Sequence, residues 1–322
     1  ADAGKSIAFN LSELAEANTY YFDNVSFKVN GVEKIKNGTF DGTDLSTFKM
    51  KKAGGSVVAP VIAEEEFYLQ LPISIPLTAQ QKRDTLVWAM DKWIKGMMEA
   101  CDGKVKAWDV VNEAMTDDDS AEIPYRQSLL YQIAGDEFIA KAFEYAHEAD
   151  PNALLFYNDY NAANPGKRDR IYNMVKKMKD AGVPIHGIGM QGHYNIYGPS
   201  DEDIDAAISK YKTLVDNIHF TELDIRVNEE MGGQLQFSRE GVKITSKVQR
   251  MQEKKYDALF KILRKHKDVV KNVTFWNLSD RDSWLGAANY PLPFDSEYKP
   301  KNLYNILKNF DTITEESFTQ LS

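Results

Sequence analysis

From about Leu77 onward, strand-like and helix-like stretches alternate along the chain, and this alternation limits the folds open to it. Apolar residues recur at helical spacing over 78–101, 137–149, 168–181, 201–214, 247–266 and 304–310. Apolar and β-branched stretches typical of buried strands lie at 105–112, 153–157, 185–190, 218–227 and 270–278. Strand-then-helix units in tandem predict parallel strands joined by right-handed crossovers.

Two architectures are built from such units, a closed eight-stranded barrel and an open, doubly wound sheet. No glycine-rich phosphate loop follows any of the predicted strands, which disfavours the open sheet. The alternation therefore predicts an α/β chain and favours a (β/α)8 TIM barrel, while the open sheet stays an alternative at this point. In such a barrel the reactive residues lie at the carboxyl ends of the strands and in the loops that follow them.

The first 76 residues have a different pattern and read as β-rich. The stretch from Tyr20 to Val29 alternates in the manner of an edge strand, and Asn37-Gly38 and Asp41-Gly42 are turn signals. We predict a division into a β-rich segment at 1–76 and a barrel at 77–322.

Two of the predicted strands end in carboxylates. The first has the sequence Trp-Asp-Val-Val-Asn-Glu, which ends at Glu113. The second has the sequence Phe-Thr-Glu-Leu-Asp-Ile, which contains Glu222 and Asp224. A buried strand end is a costly place for a charge without a partner or a task, and paired carboxylates are the groups that hydrolyse glycosidic bonds. The structural alternatives are a capping or surface role for Glu113 and a buried ion pair of Glu222 with Arg226.

The other strand ends also carry polar or aromatic residues. Gln191-Gly192-His193 follows one strand, Tyr160-Asn161 ends another, and Trp276 and Trp284 lie at the last strand end and in its loop. A lone histidine is more often structural than catalytic, and aromatic side chains most often fill a core. At the mouth of a barrel, however, the two tryptophans also fit a floor on which apolar sugar faces stack.

Composition and motifs exclude several classes of function. A net charge of −9 and a pI near 5.2 argue against binding to nucleic acid or to an anionic membrane. No run of about 18 apolar residues is present, so we predict no transmembrane helix. The sequence has neither HExxH nor paired CxxC motifs, nor a Gly-x-Ser-x-Gly elbow, so we predict no metal, no cofactor and no serine triad.

Four motifs in order resemble glycoside hydrolase family ten, the family of endo-β-1,4-xylanases on a (β/α)8 barrel. They are Trp108–Glu113, Gly189–His193, Thr221–Asp224 and Thr274–Trp276. The resemblance runs from about Leu77 to Asp311 and makes barrel strands four to eight recognisable. Single motifs of this length are weak evidence, but four in the family's order are specific.

The resemblance implies roles for ten residues. Glu113 resembles the acid/base and Glu222 the nucleophile of a retaining mechanism. The supporting and sugar-contacting residues are implied to be Asn112 at the sugar 2-hydroxyl, His193 hydrogen-bonded to the nucleophile and braced by Asp224, Gln191 near the same centre, Trp276 and Trp284 as aromatic walls, and Tyr160 and Asn161 on the leaving-group side. Glu222 is also expected to receive a hydrogen bond from Asn112.

The implied function is a retaining endo-β-1,4-xylanase that acts on xylan or xylo-oligosaccharides without a cofactor. Because the polymer cannot readily enter a cell, a secreted, periplasmic or cell-surface location is expected. Two alternatives stay open: another β-1,4-glycanase on the same fold, or a non-catalytic xylan-binding protein if the barrel is incomplete.

The sequence departs from the family pattern in its N-terminal part. The Thr-Pro-Glu-Asn stretch of the second strand and the Trp-His-x-Gln stretch of the third are absent. Residues 1–30 and 37–41 instead resemble parts of the carbohydrate-binding modules attached to xylanases. A fragment, omitted segments and strands too divergent to recognise are the three explanations left open for strands one to three.

Overall fold

The structure of the chain is a computed structural model. It describes residues 24–39, 41, 44, 77–227 and 244–321, together with the backbone of short strands between positions 50 and 70. The chain separates into two compact units, Ala1–Thr78 and Ala79–Ser322.

The described part of the first unit contains three antiparallel pairs of two-residue strands. Strand β1 (Lys28–Val29) pairs with β2 (Val32–Glu33), β3 (Met50–Lys51) with β4 (Val57–Val58), and β5 (Val61–Ile62) with β6 (Leu69–Gln70), all antiparallel. The first hairpin turns at Asn30-Gly31, where both residues have positive φ, as a tight two-residue turn requires. Tyr20 and Gly42, from the predicted edge strand and a predicted turn, lie outside the described residues, as does most of the module-like stretch 1–30.

The second unit is built from alternating strands and helices. In chain order they are α1 (Ala79–Ala100), β7 (Ala107–Asn112), α2 (Leu129–Ala134), α3 (Glu137–Ala149), β8 (Leu154–Asp159), α4 (Pro165–Asp180), β9 (Gly187–Met190), β10 (His193–Asn195), α5 (Asp201–Tyr211), β11 (Asn217–Arg226), α6 (Ser246–Lys265), β12 (Val270–Phe275) and α7 (Asn302–Lys308). Short 3-10 helices follow β12 and α7.

The strands of this unit form one parallel sheet in the order β7-β8-β9-β11-β12. β10 continues the line of β9 after Gly192 and pairs with the carboxyl-terminal half of β11. Strands β8 and β9 are almost wholly buried, and their side chains pack with those of α3, α4 and α5 in the core. β7 and β12, the outermost strands of this sheet among the described residues, are more exposed.

Two irregularities in strand pairing lie beside the carboxylates. The register of β7 on β8 shifts between Asp109 and Val111, just before Glu113. The register of β11 on β12 shifts between Phe220 and Leu223, on either side of Glu222. Such bulges bend a strand locally and change the direction of its side chains. Glu113 therefore directly follows a strand with an irregularity near its end, and Glu222 lies at an irregularity within β11.

The predicted helices and strands of the barrel segment occur in the predicted order, with ends displaced by a few residues. Two elements lie outside the predictions. Helix α2 begins at its cap residue Ser128, whose hydroxyl accepts a hydrogen bond from the Tyr131 amide, within a stretch too short to show helical periodicity. β10 is separated from β9 by Gly192, which has a φ of 81° and interrupts the strand.

Candidate active site

Glu222 lies near the carboxyl end of β11, and both of its carboxylate oxygens are held. Its Oε2 is 3.0 Å from Nε2 of His193, and its Oε1 accepts a hydrogen bond of 3.0 Å from the Asn158 amide. The ion-pair alternative named Arg226 as the partner of Glu222, but in the structure this carboxylate contacts His193 and Asn158. Two donors directed at one mostly buried carboxylate hold it in a fixed orientation.

His193 connects Glu222 to a second carboxylate. Its Nδ1 lies 2.9 Å from Oδ1 of the fully buried Asp224, whose other oxygen accepts a hydrogen bond of 2.9 Å from the Trp284 indole. Burial of the ring opposes protonation, but the hydrogen bonds to Asp224 and Glu222 outweigh burial and raise the pKa of His193 to about 9. The imidazolium is therefore the cation between two carboxylates at neutral pH.

Glu113 follows β7 directly and is more exposed than Glu222. Its backbone has a φ of 56°, in the left-handed region. Its Oε1 accepts a hydrogen bond of 3.0 Å from Gln191, and its Oε2 accepts one of 2.7 Å from Arg126. The Arg126 guanidinium comes from a loop that folds back beside the strand end, where its own amide bonds the carbonyl of Ala114.

A chain of side-chain amides joins the two glutamates. The side-chain oxygen of Asn112 accepts hydrogen bonds from the side-chain amides of Asn158 at 3.0 Å and of Gln191 at 3.2 Å. Asn158 also contacts Glu222, and Gln191 also contacts Glu113. The sequence assigned the contact with Glu222 to Asn112, but Asn158 makes it. Asn112 is linked to Glu222 only through Asn158.

Two tryptophans stand beside the histidine and keep large exposed surfaces. Trp276 and Trp284 are 42% and 43% exposed, although indole rings are usually covered. Their rings meet that of His193 edge to face, at centroid distances of 6.4 and 5.1 Å. Exposed aromatic faces next to a carboxylate centre leave apolar surface for the flat face of a ligand.

Tyr160 and Asn161 lie at the end of β8, next to a buried lysine. The Tyr160 ring packs under the Lys167 ammonium at 4.1 Å. The Asn161 amide makes a long contact of 3.5 Å with Asp117, which also pairs with Lys167 at 3.1 Å. A sugar contact for these two residues stays a prediction.

The structure gathers eight of the ten sequence-predicted residues into one connected set and adds two that the sequence analysis missed. The connected set is Asn112, Glu113, Gln191, His193, Glu222, Asp224, Trp276 and Trp284. The additions are Asn158 and Arg126. Asn158 faces Asn112 across the β7–β8 pair. Its only signal in the sequence was that it is a polar residue late in an otherwise apolar strand.

The arrangement provides two carboxylates with different surroundings. Glu222 is fixed in one orientation by two donors, one of them cationic, and this suits a nucleophile. Glu113 is nearly a third exposed and is held by an amide and by a half-exposed guanidinium, so a ligand and water can reach it, as a general acid/base requires. Together they provide the acid, the base and the nucleophile for substitution at an acetal carbon.

Within residues 24–39, 77–227 and 244–321, no group of three or more His, Cys, Asp or Glu side chains is placed to hold a metal ion. In the same part of the chain, no helix combines the length and apolarity needed to cross a membrane.

Comparison with known proteins yields one family and many relatives. The sequence profile of glycosyl hydrolase family 10 matches residues 67–310. An endo-1,4-β-xylanase/feruloyl esterase of Xylanibacter ruminicola is 59% identical over 218 residues, which cover 64% of this chain and 30% of that protein. An endo-1,4-β-xylanase of Geobacillus stearothermophilus is 43% identical over 225 residues, covering 68% of this chain and 66% of that protein. The chain thus spans less than two thirds of the length of these curated relatives.

Solved structures show the same similarity. A psychrophilic glycoside hydrolase family 10 endo-β-1,4-xylanase superposes with a TM-score of 0.67 at 51% identity, covering 81% of this chain and 72% of that one. A family 10 xylanase of Thermobacillus composti superposes with a TM-score of 0.60 at 39% identity, covering 74% of this chain and 73% of that one.

Proposed function

The chain belongs to glycosyl hydrolase family 10, and from this we propose that it is a retaining endo-1,4-β-xylanase that hydrolyses xylan by double displacement. One observation carries the proposal: Glu222 is held by His193 and Asn158, and a chain of amides links it to the more exposed Glu113. The xylanase relatives support xylan as the substrate.

The family fold is a (β/α)8 barrel, so the predicted fold class is confirmed. β7, β8, β9, β11 and β12 correspond to the five recognisable strands, four to eight. Their carboxyl ends carry Glu113, Tyr160, Gln191, Glu222 and Trp276, respectively, as expected for a site at the carboxyl-terminal face of a barrel.

In the first displacement, Glu222 attacks the anomeric carbon of the sugar on its side of the scissile bond. The bond from that carbon to the bridging oxygen breaks, and the bridging oxygen takes a proton from Glu113. His193 and Asn158 hold the Glu222 carboxylate in a fixed orientation, which reduces the freedom that must be lost on reaching the transition state. The product is a glycosyl ester of Glu222.

In the second displacement, Glu113 is a carboxylate and acts as the base. It removes a proton from water as the water oxygen attacks the anomeric carbon and Glu222 leaves. Two inversions at one carbon restore its original configuration. The Trp276 and Trp284 faces beside His193 would stack on the sugar during both steps.

The contact of Arg126 with Glu113 is compatible with this cycle. Because the two side chains are 47% and 30% exposed, such a pair contributes at most about 1 kcal/mol. A substrate that enters the site can therefore displace Arg126 at little cost.

The test is the release of reducing sugar from xylan by the chain and by its Glu222→Gln and Glu113→Gln variants. We expect each substitution to lower turnover by at least about 10³-fold, because each removes a group that reacts in the cycle. Glu202→Gln, an exposed change on α5, is the matched control and should keep full activity. A folded wild-type chain that binds xylan without turnover would refute the proposal in favour of a binding protein.

Two further readouts test the finer parts of the proposal. Proton NMR of the first product formed should show the β-anomer, whereas the α-anomer would exclude retention. Hydrolysis of β-1,4-glucan under the same conditions should be much slower than that of xylan. Equal rates would make the chain a broader β-1,4-glycanase.

We also propose that the enzyme works outside the cytoplasm, since a xylan polymer cannot readily enter a cell. Immunodetection in fractions of the producing organism should place it at the cell surface, in the periplasm or in the medium. Detection only in the cytosolic fraction would refute this location.

A further inference from the structure

Glu113 occupies a backbone conformation that its residue type rarely adopts. Its φ of 56° lies in the left-handed region, where a side chain crowds the following carbonyl. Such a conformation persists only where neighbouring groups hold the chain in place. The Glu113 amide is bonded to the Asn158 carbonyl at 2.9 Å, which fixes the backbone on one side of the residue.

Tyr157 holds the backbone on the other side. This side chain of β8 is fully buried, and its hydroxyl oxygen accepts hydrogen bonds from the amides of Ala114 and Met115 at 3.0 and 3.1 Å. These are the two amides that directly follow Glu113. One phenol therefore fixes the direction in which the chain leaves the acid/base residue.

The orientation of this hydroxyl is itself fixed. Its proton is donated to Oδ2 of Asp159 at 2.5 Å, and the other oxygen of this fully buried carboxylate lies 3.2 Å from the Lys167 ammonium. A phenol has one proton and two lone pairs. Because the phenol O–H donates its hydrogen bond to Asp159, the lone pairs of the oxygen are left for the two amides. Burial, reinforced by Asp159, raises the pKa of Tyr157, so the phenol keeps its proton.

We propose that Tyr157, oriented by Asp159 and Lys167, is a positioning residue that directs Glu113 toward the leaving-group oxygen. This rests on the proposed function, because it assigns Tyr157 a part in the acid/base step. Tyr157 does not touch the substrate in this proposal. It acts through the backbone of Ala114 and Met115, and so on the angle from which the proton is delivered.

The test compares Tyr157→Phe with the wild-type chain on two aryl β-xylobiosides. A dinitrophenolate leaves without a proton, whereas a phenolate needs one from Glu113. We therefore expect kcat/KM for the phenyl substrate to fall by at least about tenfold, with little change for the dinitrophenyl substrate. The quantity kcat/KM reports the first displacement, which is the step that uses Glu113 as an acid. Equal losses on both substrates would overturn the proposal, as would no loss on either.

Tyr211→Phe is the matched control. Tyr211 is also fully buried, but its hydroxyl donates to the carbonyl of Ala162 at 2.8 Å. Its loss should lower stability and leave the ratio of the two kcat/KM values unchanged. A shifted ratio in this variant would show that any lost core hydroxyl has the effect, and the proposal would fail.

Amide hydrogen exchange gives a readout that needs no turnover. In Tyr157→Phe, the amides of Ala114 and Met115 should exchange about tenfold faster than in wild type, because each loses its acceptor. Amides of β9 should be unchanged. If wild type does not hydrolyse either xyloside, the proposed function fails, and unchanged exchange at Ala114 and Met115 would separately overturn the role of Tyr157.

Discussion

At the scale of single residues, Asn158 is the least obvious part of the site and is open to a direct test. Its side-chain amide donates to both Asn112 and Glu222, and its side-chain oxygen accepts a hydrogen bond of 2.7 Å from the Thr221 hydroxyl. Asn158→Asp keeps the shape but removes the donor and adds a second negative charge beside the nucleophile. We expect kcat/KM on xylan to fall by about 10²-fold, as is typical when an enzyme loses one preorganised hydrogen-bond donor from its active site.

The control for Asn158 uses the same substitution at the opposite end of the sheet. Asn217 begins β11, and its amide makes only a long contact of 3.4 Å with the carbonyl of His186. Asn217→Asp should leave turnover close to that of wild type. If the two variants lose activity equally, Asn158 has no special part in holding Glu222.

The sequence predicted Glu113, Glu222 and His193 because each follows an apolar strand and belongs to a motif read along the chain. It could not predict Asn158 or Arg126 as partners, since their contacts depend on distances that sequence spacing does not encode. Asn158 reaches Asn112 through the register of β7 on β8. Arg126 reaches Glu113 because the intervening loop folds back.

At the scale of elements, a glycine in β9 leaves room for the amide that holds the nucleophile. A Cβ on Gly189 would lie 2.3 Å from the Asn158 side-chain oxygen and 3.1 Å from Cγ2 of Thr221. Asn158 is buried and bonded on several sides, so it has little room to move. Gly189→Ala should lower the free energy of unfolding by about 1–3 kcal/mol, measured by urea denaturation, and should reduce xylan turnover.

The same substitution in α1 should have the opposite effect on stability. A Cβ on Gly96 would meet nothing within 4 Å, and the residue lies within a helix of 22 residues. Gly96→Ala should therefore raise the free energy of unfolding by about 0.5–1 kcal/mol and leave activity unchanged. If both substitutions lower the free energy of unfolding, crowding at Gly189 is not the cause of the loss of stability in Gly189→Ala.

Periodicity predicted which elements exist but not their irregularities. Helix α3 has the predicted bounds, because its apolar face recurs at helical spacing between clear turn signals. The bulges beside Glu113 and Glu222 carry no such signal, since a bulge depends on how one strand pairs with its neighbour. These bulges set the directions of both carboxylates, so strand alternation alone could not give the geometry of the site.

At the scale of the whole molecule, the tandem units predicted parallel strands with crossover helices, which have few arrangements, and the resemblance to a known family selected the (β/α)8 barrel among them. The pairing of the N-terminal segment was not predictable in the same way. Its described strands are only two residues long, and such short alternation defines neither register nor partner. The predicted division at residue 76, and a module-like origin for 1–76, stay predictions.

The stability of the folded chain should depend on pH through His193. In an unfolded chain a histidine titrates near 6.5, whereas the contacts with Asp224 and Glu222 raise the pKa of His193 to about 9. The folded state therefore binds this proton more tightly. The resulting stability is complete below pH 6.5 and is lost as the pH rises through 9. The shift corresponds to about 3 kcal/mol at most.

The contribution of His193 can be isolated by comparing variants. Urea denaturation at several values between pH 6.5 and 9.5 should show that the free energy of unfolding falls more steeply for wild type than for His193→Asn. Groups that titrate in both proteins, such as the buried Lys301, cancel in the difference. His219→Asn is the control, because burial lowers the pKa of His219 and so confines its effect to pH values below 6.5. Equal slopes for wild type and His193→Asn would show that His193 is not held as a cation between the two carboxylates.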